Sequence, residues 1–581
     1  FSTGIIFEET TSRTYPYNTL ASTILGFTNS DNSGAYGIEY SWNSFLSGTA
    51  GKSVSLKDAS QSEIANSEKS YIAAENGYDL NLTIDVNIQG IIEKLDYLKF
   101  LGVDMLWITP VYTSPKFDNG YDIADYYNID SQFGTMDDFD NLIKEAKNRE
   151  IGIIMDIVAN HTSTYHEWFK NALNGDKKYQ DYYIFRDKSY VEAHPIKSIF
   201  GGNAWEYIEN LDLYYLHNFD KTQADLDWDN AEVREEIYKI LNFWLEKGVE
   251  GFRFDVIDMI SKDFDKLSMS NGADLHNYIK EMNKKTFGNY KTLTVGETWS
   301  ADTEHTKLYS NPDGSEFSMV FTFEHIMFTS NKWETSIDKE KLKEIFKKNQ
   351  TELFNKGWNS LFFNNHDLPR LISRYGDENY REITGKQWAM ILHCMQGTPF
   401  IYQGEEIGMT NRNWTHKEIR DVEAINYYNQ AIKTHDESYV LDKINKISRD
   451  NARTPMQWND KIYGGFSEKE PWIIVNENYK EINVENSLNN KNSLLYTYKE
   501  LINLRKTEEI FEKGNFELLD FGKDFFAYKR VYNNTELYLI SNLTPDEKDL
   551  NLEISGELIM SNYDSNNNYK AYETRIYLNK I

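Results

Sequence analysis

The chain has 581 residues, with 62 Lys and Arg against 91 Asp and Glu and a net charge of −29, a balance that opposes binding to nucleic acid or an anionic membrane. Its length predicts about two to four domains, and its one cysteine, Cys394 in an apolar setting, excludes an internal disulfide framework and most cysteine metal sites. No apolar run approaches the ~20 residues that span a bilayer, and no basic region followed by an apolar stretch opens the chain, so neither a membrane span nor a signal peptide is expected.

Residues 1–85 are rich in Ser, Thr, Asn and Gly, with turn punctuation at Asn29–Gly34 and Ser47–Gly51. Gly48-Thr-Ala-Gly-Lys-Ser53 has two residues between its glycines where a phosphate loop needs four, so no nucleotide site is read there. Arg13-Thr-Tyr-Pro-Tyr17, Leu20–Phe27, Gly37-Ile-Glu39, Leu46-Ser-Gly48 and Asp79–Asp85 follow one another in an order and spacing that resembles the dimerisation (pedestal) region of a class B penicillin-binding protein. That resemblance implies an extra N-terminal α+β segment and, taken alone, an extracytoplasmic setting. The catalytic part of such a protein does not follow, since the chain holds no Lys-Thr-Gly or Lys-Ser-Gly.

From residue 86 the pattern alternates between helix and strand. Ile88, Ile91, Ile92, Leu95 and Leu98 share one helical face, and the strand Met105–Pro110 follows. A helix from Met136 buries Phe139, Leu142, Ile143 and Ala146 and leads into strand Ile151–Val158. Residues 161–228 are irregular and aromatic-rich, an inserted domain at the end of that strand. The helix from Ala231 turns Val233, Ile237, Ile240, Leu241, Trp244 and Leu245 inward and returns to strand Gly251–Asp255. Further strands are expected at Thr292–Glu297, Phe317–Phe323, Asn359–Asn364 and Thr398–Gln403. Short apolar strands separated by helices imply a parallel sheet covered by helices. Seven of them point to an α/β fold, a (β/α)8 TIM barrel over 86–160 and 229–509 whose native first strand is missing. Beyond residue 510 the alternation of period two predicts a C-terminal antiparallel β-sandwich domain.

Catalytic residues of such a barrel sit at the carboxyl ends of its strands. Acids are about one residue in six of this chain, so a single one means little. Here five strands end in chemistry: Asp156 to His161, Arg253 and Asp255, Glu297, Asn365-His366-Asp367, and Gln403 to Glu406. Arg253 and Asp255 are two apart on a strand and point the same way, so the guanidinium is expected to keep the carboxylate ionised. Two carboxylates about 5 Å apart across a sugar ring are what retaining glycoside hydrolysis needs. Asp156 is read as a structural support of its strand end.

Asp118-Asn-Gly-Tyr-Asp122, Asp156–His161, Gly251–Val256, Val295-Gly-Glu-Thr-Trp299, Asn365–Arg370, Tyr402–Glu406 and Arg449–Trp458 together resemble glycoside hydrolase family 13, in its oligo-1,6-glucosidase group and nearest its dextran-acting glucan 1,6-α-glucosidases. The resemblance covers 88–581. It implies that Asp255 is the nucleophile, Glu297 the acid/base and Asp367 a third carboxylate. It implies that Asp118, Tyr121, His161, Arg253, His366 and Arg453 bind the terminal glucose, that Val256 accompanies α-1,6 specificity, and that Trp299 stacks on the leaving-group sugar. The implied enzyme is a cytoplasmic, monomeric, retaining exo-α-glucosidase acting on isomaltooligosaccharides and water, with trehalose 6-phosphate as the alternative substrate. An inactive chimera or a non-catalytic cell-wall scaffold is the alternative of another class. Members of the family begin with a first strand and a calcium-holding loop. This chain enters the resemblance inside the first helix, so no metal site and no cofactor are expected. Leu80–Ile84 is expected to fill the vacant first-strand position.

Overall fold

The computed structural model describes residues 33, 52–54, 70–72, 87–328, 333, 337–550, 554–564 and 568–581. They fall into two compact units, Phe1–Asn87 with Ser131–Gly134, and Ile88–Asp130 with Thr135–Ile581. In the first unit β1 (Lys52–Val54) pairs antiparallel with β2 (Ser70–Ile72). The motifs that carry the pedestal resemblance, and Leu80–Ile84 with its expected place in the barrel, lie outside the described residues.

Among its described residues the second unit holds seven parallel strands. After helix α1 (Asn87–Leu101) comes β3 (Met105–Ile108). Helix α2 (Met136–Asn148) then leads to β4 (Gly152–Val158), and helix α3 (Ala231–Glu246) to β5 (Gly251–Asp255). Next come β6 (Leu293–Glu297), β7 (Met319–Phe321), β8 (Ser360–Leu361) and β9 (Thr398–Pro399). The ladder runs β3-β4-β5-β6-β7, and a parallel bridge from Val320 to Asn359 carries it on to β8 and β9. Among the described residues no strand lies between β3 and β9. Strands β7 to β9 are shorter than the sequence predicts, and among the described residues β9 pairs with β8 alone.

The helices follow the periodicity of the sequence. Thr135 and Asp138 form a reciprocal capping box that starts α2, whose Phe139, Leu142 and Ala146 are buried. Helix α3 buries all six expected apolar residues. Strands β4 and β5 are buried along their whole length, as strands covered on both faces must be.

Two additions frame the barrel. In the stretch 161–228, His161–Ser163 pairs with Gln223–Asp225, and a three-stranded antiparallel sheet forms from Phe185–Arg186, Leu213–Leu216 and Trp205–Ile208. At the C-terminus, Glu517–Leu519, Phe525–Tyr532, Thr535–Asn542, Thr574–Lys580 and Glu557–Ser561 make one five-stranded antiparallel sheet, in that order. The expected sandwich is corrected to a single sheet among the described residues. One face (Phe526, Tyr528, Leu537, Leu539, Ile576) packs into the same core as Trp388 and Ile391 of the barrel's outer helices, so a second sheet is not needed to bury it. The other face (Phe525, Ala527, Ile540) is covered by Tyr569, Leu550 and Ile554.

Candidate active site

Registry sets the centre of the site. Arg253 on β5 stands directly beside Asp156 on β4. Its fully buried guanidinium lies against the ring of Trp107 (5.2 Å) and the ring of Tyr121 (5.8 Å). Nη1 donates to Asp156 Oδ1 (2.9 Å) and to Asp255 Oδ1 (2.7 Å), and Nη2 reaches Glu297 Oε2 at 2.5 Å. Asp156 turns its other oxygen to Trp107 Nε1 (3.2 Å) and the Tyr121 hydroxyl (2.9 Å), so both its oxygens are engaged within the protein.

One cation therefore faces three carboxylates. Burial pushes the Asp255 carboxyl well above the usual carboxylate range; Arg253 opposes it, while Glu297 and Asp156 add to it. Glu297 is 2% exposed and also accepts from the Val256 backbone N–H (3.3 Å). Val256 itself lies in the left-handed region (φ 34°, ψ 49°), a strained conformation for a β-branched residue, where the chain turns sharply out of β5.

Asp118 and Tyr121 come from a turn built by Asp122. That buried carboxylate accepts from Ser114 Oγ (3.0 Å), Phe117 N (3.1 Å) and Asp118 N (3.2 Å). Asn119 and Gly120 take positive φ, and a Cβ on Gly120 would stand 3.1 Å from the Pro110 carbonyl oxygen. The Tyr121 ring stacks on His366 (5.5 Å, 8° between planes), and its hydroxyl meets His366 Nε2 at 2.8 Å. His161 Nε2 lies 3.1 Å from both the Tyr121 carbonyl oxygen and Gln223 Nε2, and its Nδ1 lies 3.2 Å from Asn160 Nδ2. Burial pushes the His161 imidazole pKa down, which favours the neutral ring.

Asp367 faces two arginines. Arg453 Nη2 lies 2.9 Å from Oδ1 and Arg449 Nη1 3.5 Å, while His366 Nε2 is 3.2 Å from Oδ2. Burial opposes ionisation of Asp367, but His366, Arg449 and Arg453 overcome it and hold the carboxyl well below the usual range. Trp299 stands 41% exposed and stacks flat on Phe323 (3.8 Å, 5°). The structure thus brings Asp118, Tyr121, His161, Arg253, Asp255, Glu297, His366, Asp367 and Arg453 into one linked network, with Val256 and Trp299 on the loops that leave β5 and β6.

Sequence reasoning missed several contributors. Arg449 lies inside a quoted motif without an assigned role. It binds Asp421 (2.9 and 2.7 Å), comes within 4.0 Å of Asp118, and lies over the Phe200 ring at 5.4 Å. Gln223 comes from the irregular stretch, where no periodicity marks it, and bonds Asp118 (3.1 Å). The Lys262 ammonium bonds Asp225 (3.0 Å) and Asn160 (2.9 Å), joining that stretch to the strand ends.

Residues 26–514 match the model for "Alpha amylase, catalytic domain". The match begins inside the segment read as a pedestal, and nothing in the comparisons supports that resemblance. A glucan 1,6-alpha-glucosidase of Streptococcus pneumoniae serotype 4 is 50% identical over 478 residues, 80% of this chain and 89% of its own. An oligo-1,6-glucosidase of Bacillus cereus is 45% identical over 511 residues, 83% of this chain and 92% of its own. Among solved structures, trehalose-6-phosphate hydrolase (TreA) of Bacillus licheniformis superposes with a TM-score of 0.81 at 41% identity, covering 86% of this chain and 97% of that one. A strand-end cluster of carboxylates on a barrel of alpha-amylase type, with relatives of this identity and coverage, makes the chain a glycoside hydrolase of family 13.

Proposed function

We propose that this hydrolase removes single glucose units from the non-reducing end of isomaltooligosaccharides by cleaving α-1,6 bonds with retention. The observation that carries it is the guanidinium of Arg253 shared between Asp255 and Glu297. Two carboxyls on one guanidinium lie close together, which favours the ~5–5.5 Å separation of a retaining pair over the ~6.5–9.5 Å of an inverting one. Asp255 attacks the anomeric carbon as the glycosidic bond breaks, and Glu297 gives its proton to the departing oxygen. In the second step the Glu297 carboxylate takes a proton from water, the water oxygen bonds to the same carbon, and the ester to Asp255 breaks.

Asp367, kept ionised by His366, Arg449 and Arg453, suits both the sugar hydroxyls and the positive charge that develops at the ring. Action on chain ends is supported by Arg449, which approaches both Asp118 and Asp367 over Phe200 and would close the site behind a terminal sugar bound there. The α-1,6 linkage is supported by the names of the two glucosidase relatives and by Val256 after the nucleophile. Trehalose 6-phosphate would need an unpaired cation on the leaving-group side. Among the described residues the cations of the site, Arg253, Arg449, Arg453 and Lys262, are all engaged by carboxylates. The test is turnover of isomaltotriose against trehalose 6-phosphate. Isomaltotriose hydrolysis with α-glucose released first supports the proposal, and exclusive action on the phosphorylated disaccharide refutes it.

A further inference from the structure

Asp258 lies three residues beyond Asp255, in the single turn Ile257–Ile260 that the left-handed Val256 begins, and it is 3% exposed. A carboxylate buried to this degree is costly unless its oxygens are engaged. Its Oδ2 accepts from Thr298 Oγ1 (3.1 Å) and from Ser300 Oγ, the two residues on either side of Trp299. The hydroxyls are themselves fixed: Ala301 N donates to Thr298 Oγ1 (3.1 Å) and Asn271 Nδ2 to Ser300 Oγ (2.7 Å). Asn271 N in turn donates to the Asp258 carbonyl (2.9 Å). The loop that leaves β6 at Glu297 is thus tied on both sides of the indole to one carboxylate.

Trp299 has no such anchor of its own. Its ring is open to solvent on one face and rests on Phe323 with the other, so its place is set by the backbone at 298 and 300. Glu297 is the residue before Thr298, and its carboxyl is held by the Val256 N–H at the start of the turn that carries Asp258. The acid/base carboxyl, gripped by Arg253 Nη2 and the Val256 N–H, thus sits directly before the loop that Asp258 ties down. Burial pushes Asp258 up to about 6, and the two hydroxyls pull against that rise, which fits a carboxylate whose charge depends on them.

We infer that Asp258 is a positioning residue for the leaving-group side: through Thr298 and Ser300 it holds Trp299 and the Glu297 carboxyl against the departing sugar. The inference rests on the roles proposed above for Glu297 and Trp299. α-Glucosyl fluoride separates it from a general structural role, because fluoride leaves without a proton and brings no sugar to the indole. In Asp258→Ala, kcat/KM on isomaltotriose is expected to fall about 30-fold, the scale of losing hydrogen bonds to a charged group. On α-glucosyl fluoride the expected loss is under about 3-fold, on the same scale. The triple variant Asp258→Asn/Thr298→Ala/Ser300→Ala, which leaves no charged carboxylate uncovered in the core, is expected to give the same split. Equal losses on both substrates, or no loss on isomaltotriose, would overturn it. Wild-type turnover of isomaltotriose decides the proposed function; the ratio between the two substrates in the variants decides Asp258.

Discussion

Arg253→Lys keeps the charge and removes the fork. In the structure two guanidinium nitrogens make three contacts of 2.9, 2.7 and 2.5 Å, to Asp156, Asp255 and Glu297. A single ammonium can retain at most the two that Nη1 makes, and it also loses the flat contact with the Trp107 and Tyr121 rings. One or two hydrogen bonds between charged groups, each about 1.5–3 kcal/mol, are lost. At about 1.4 kcal/mol per tenfold, kcat/KM should fall by roughly 10- to 10⁴-fold, with about 10² as the central value. The assay is initial-rate hydrolysis of isomaltotriose, with thermal unfolding alongside to show that the variant is folded. A folded Arg253→Lys within about threefold of the wild type would refute the reasoning, because the fork would then not set the carboxylate pair.

Glu405 gives a prediction about pH. Its Oε1 accepts from Tyr498, its Oε2 has no partner, and burial pushes the carboxyl up to about 8. The folded protein thus keeps a proton that the unfolded chain releases above about 4.3, so this group's stabilisation is lost as pH rises towards 8. Glu405→Gln, neutral throughout, should melt at a temperature that falls less between pH 5 and pH 8 than the wild type does; parallel melting curves would contradict this. Val256→Ala should lower the melting temperature less than loss of a core valine usually does. Alanine keeps its Cβ and so relieves only the share of the ~1–3 kcal/mol of left-handed strain that β-branching adds, which offsets part of the lost burial; a fall typical of a core valine would argue against strain. The same variant should raise the rate on maltose relative to isomaltose, measured by glucose release, and an unchanged ratio would remove Val256 from the account of linkage.

The strand-end carboxylates were legible because a parallel barrel ties function to one register: an acid that closes an apolar run sits at the carboxyl edge. The same holds for the buried faces of α2 and α3, where period and capping agree. Arg253 shows the limit of that reading. Its alternation with Asp255 along β5 is local, but Asp156 and Glu297 reach it from neighbouring strands, and only the sheet register reveals that it is shared. Gln223 and Lys262 act through the inserted stretch, where irregular backbone leaves no pattern. The left-handed turn at Val256 runs against the residue's own preference, so no sequence rule predicts it. The C-terminal sheet was legible as strands, but not that the barrel's helices replace the second layer of a sandwich.

The central claim is that Asp255 carries the sugar between the two steps. Incubation with 5-fluoro-α-glucosyl fluoride, followed by proteolysis and mass spectrometry of the peptides, measures this directly. The account predicts one glucosyl ester, on Asp255, and none in Asp255→Asn. An ester on Glu297 or Asp367, or none at all while natural substrate is turned over with inversion, would contradict it.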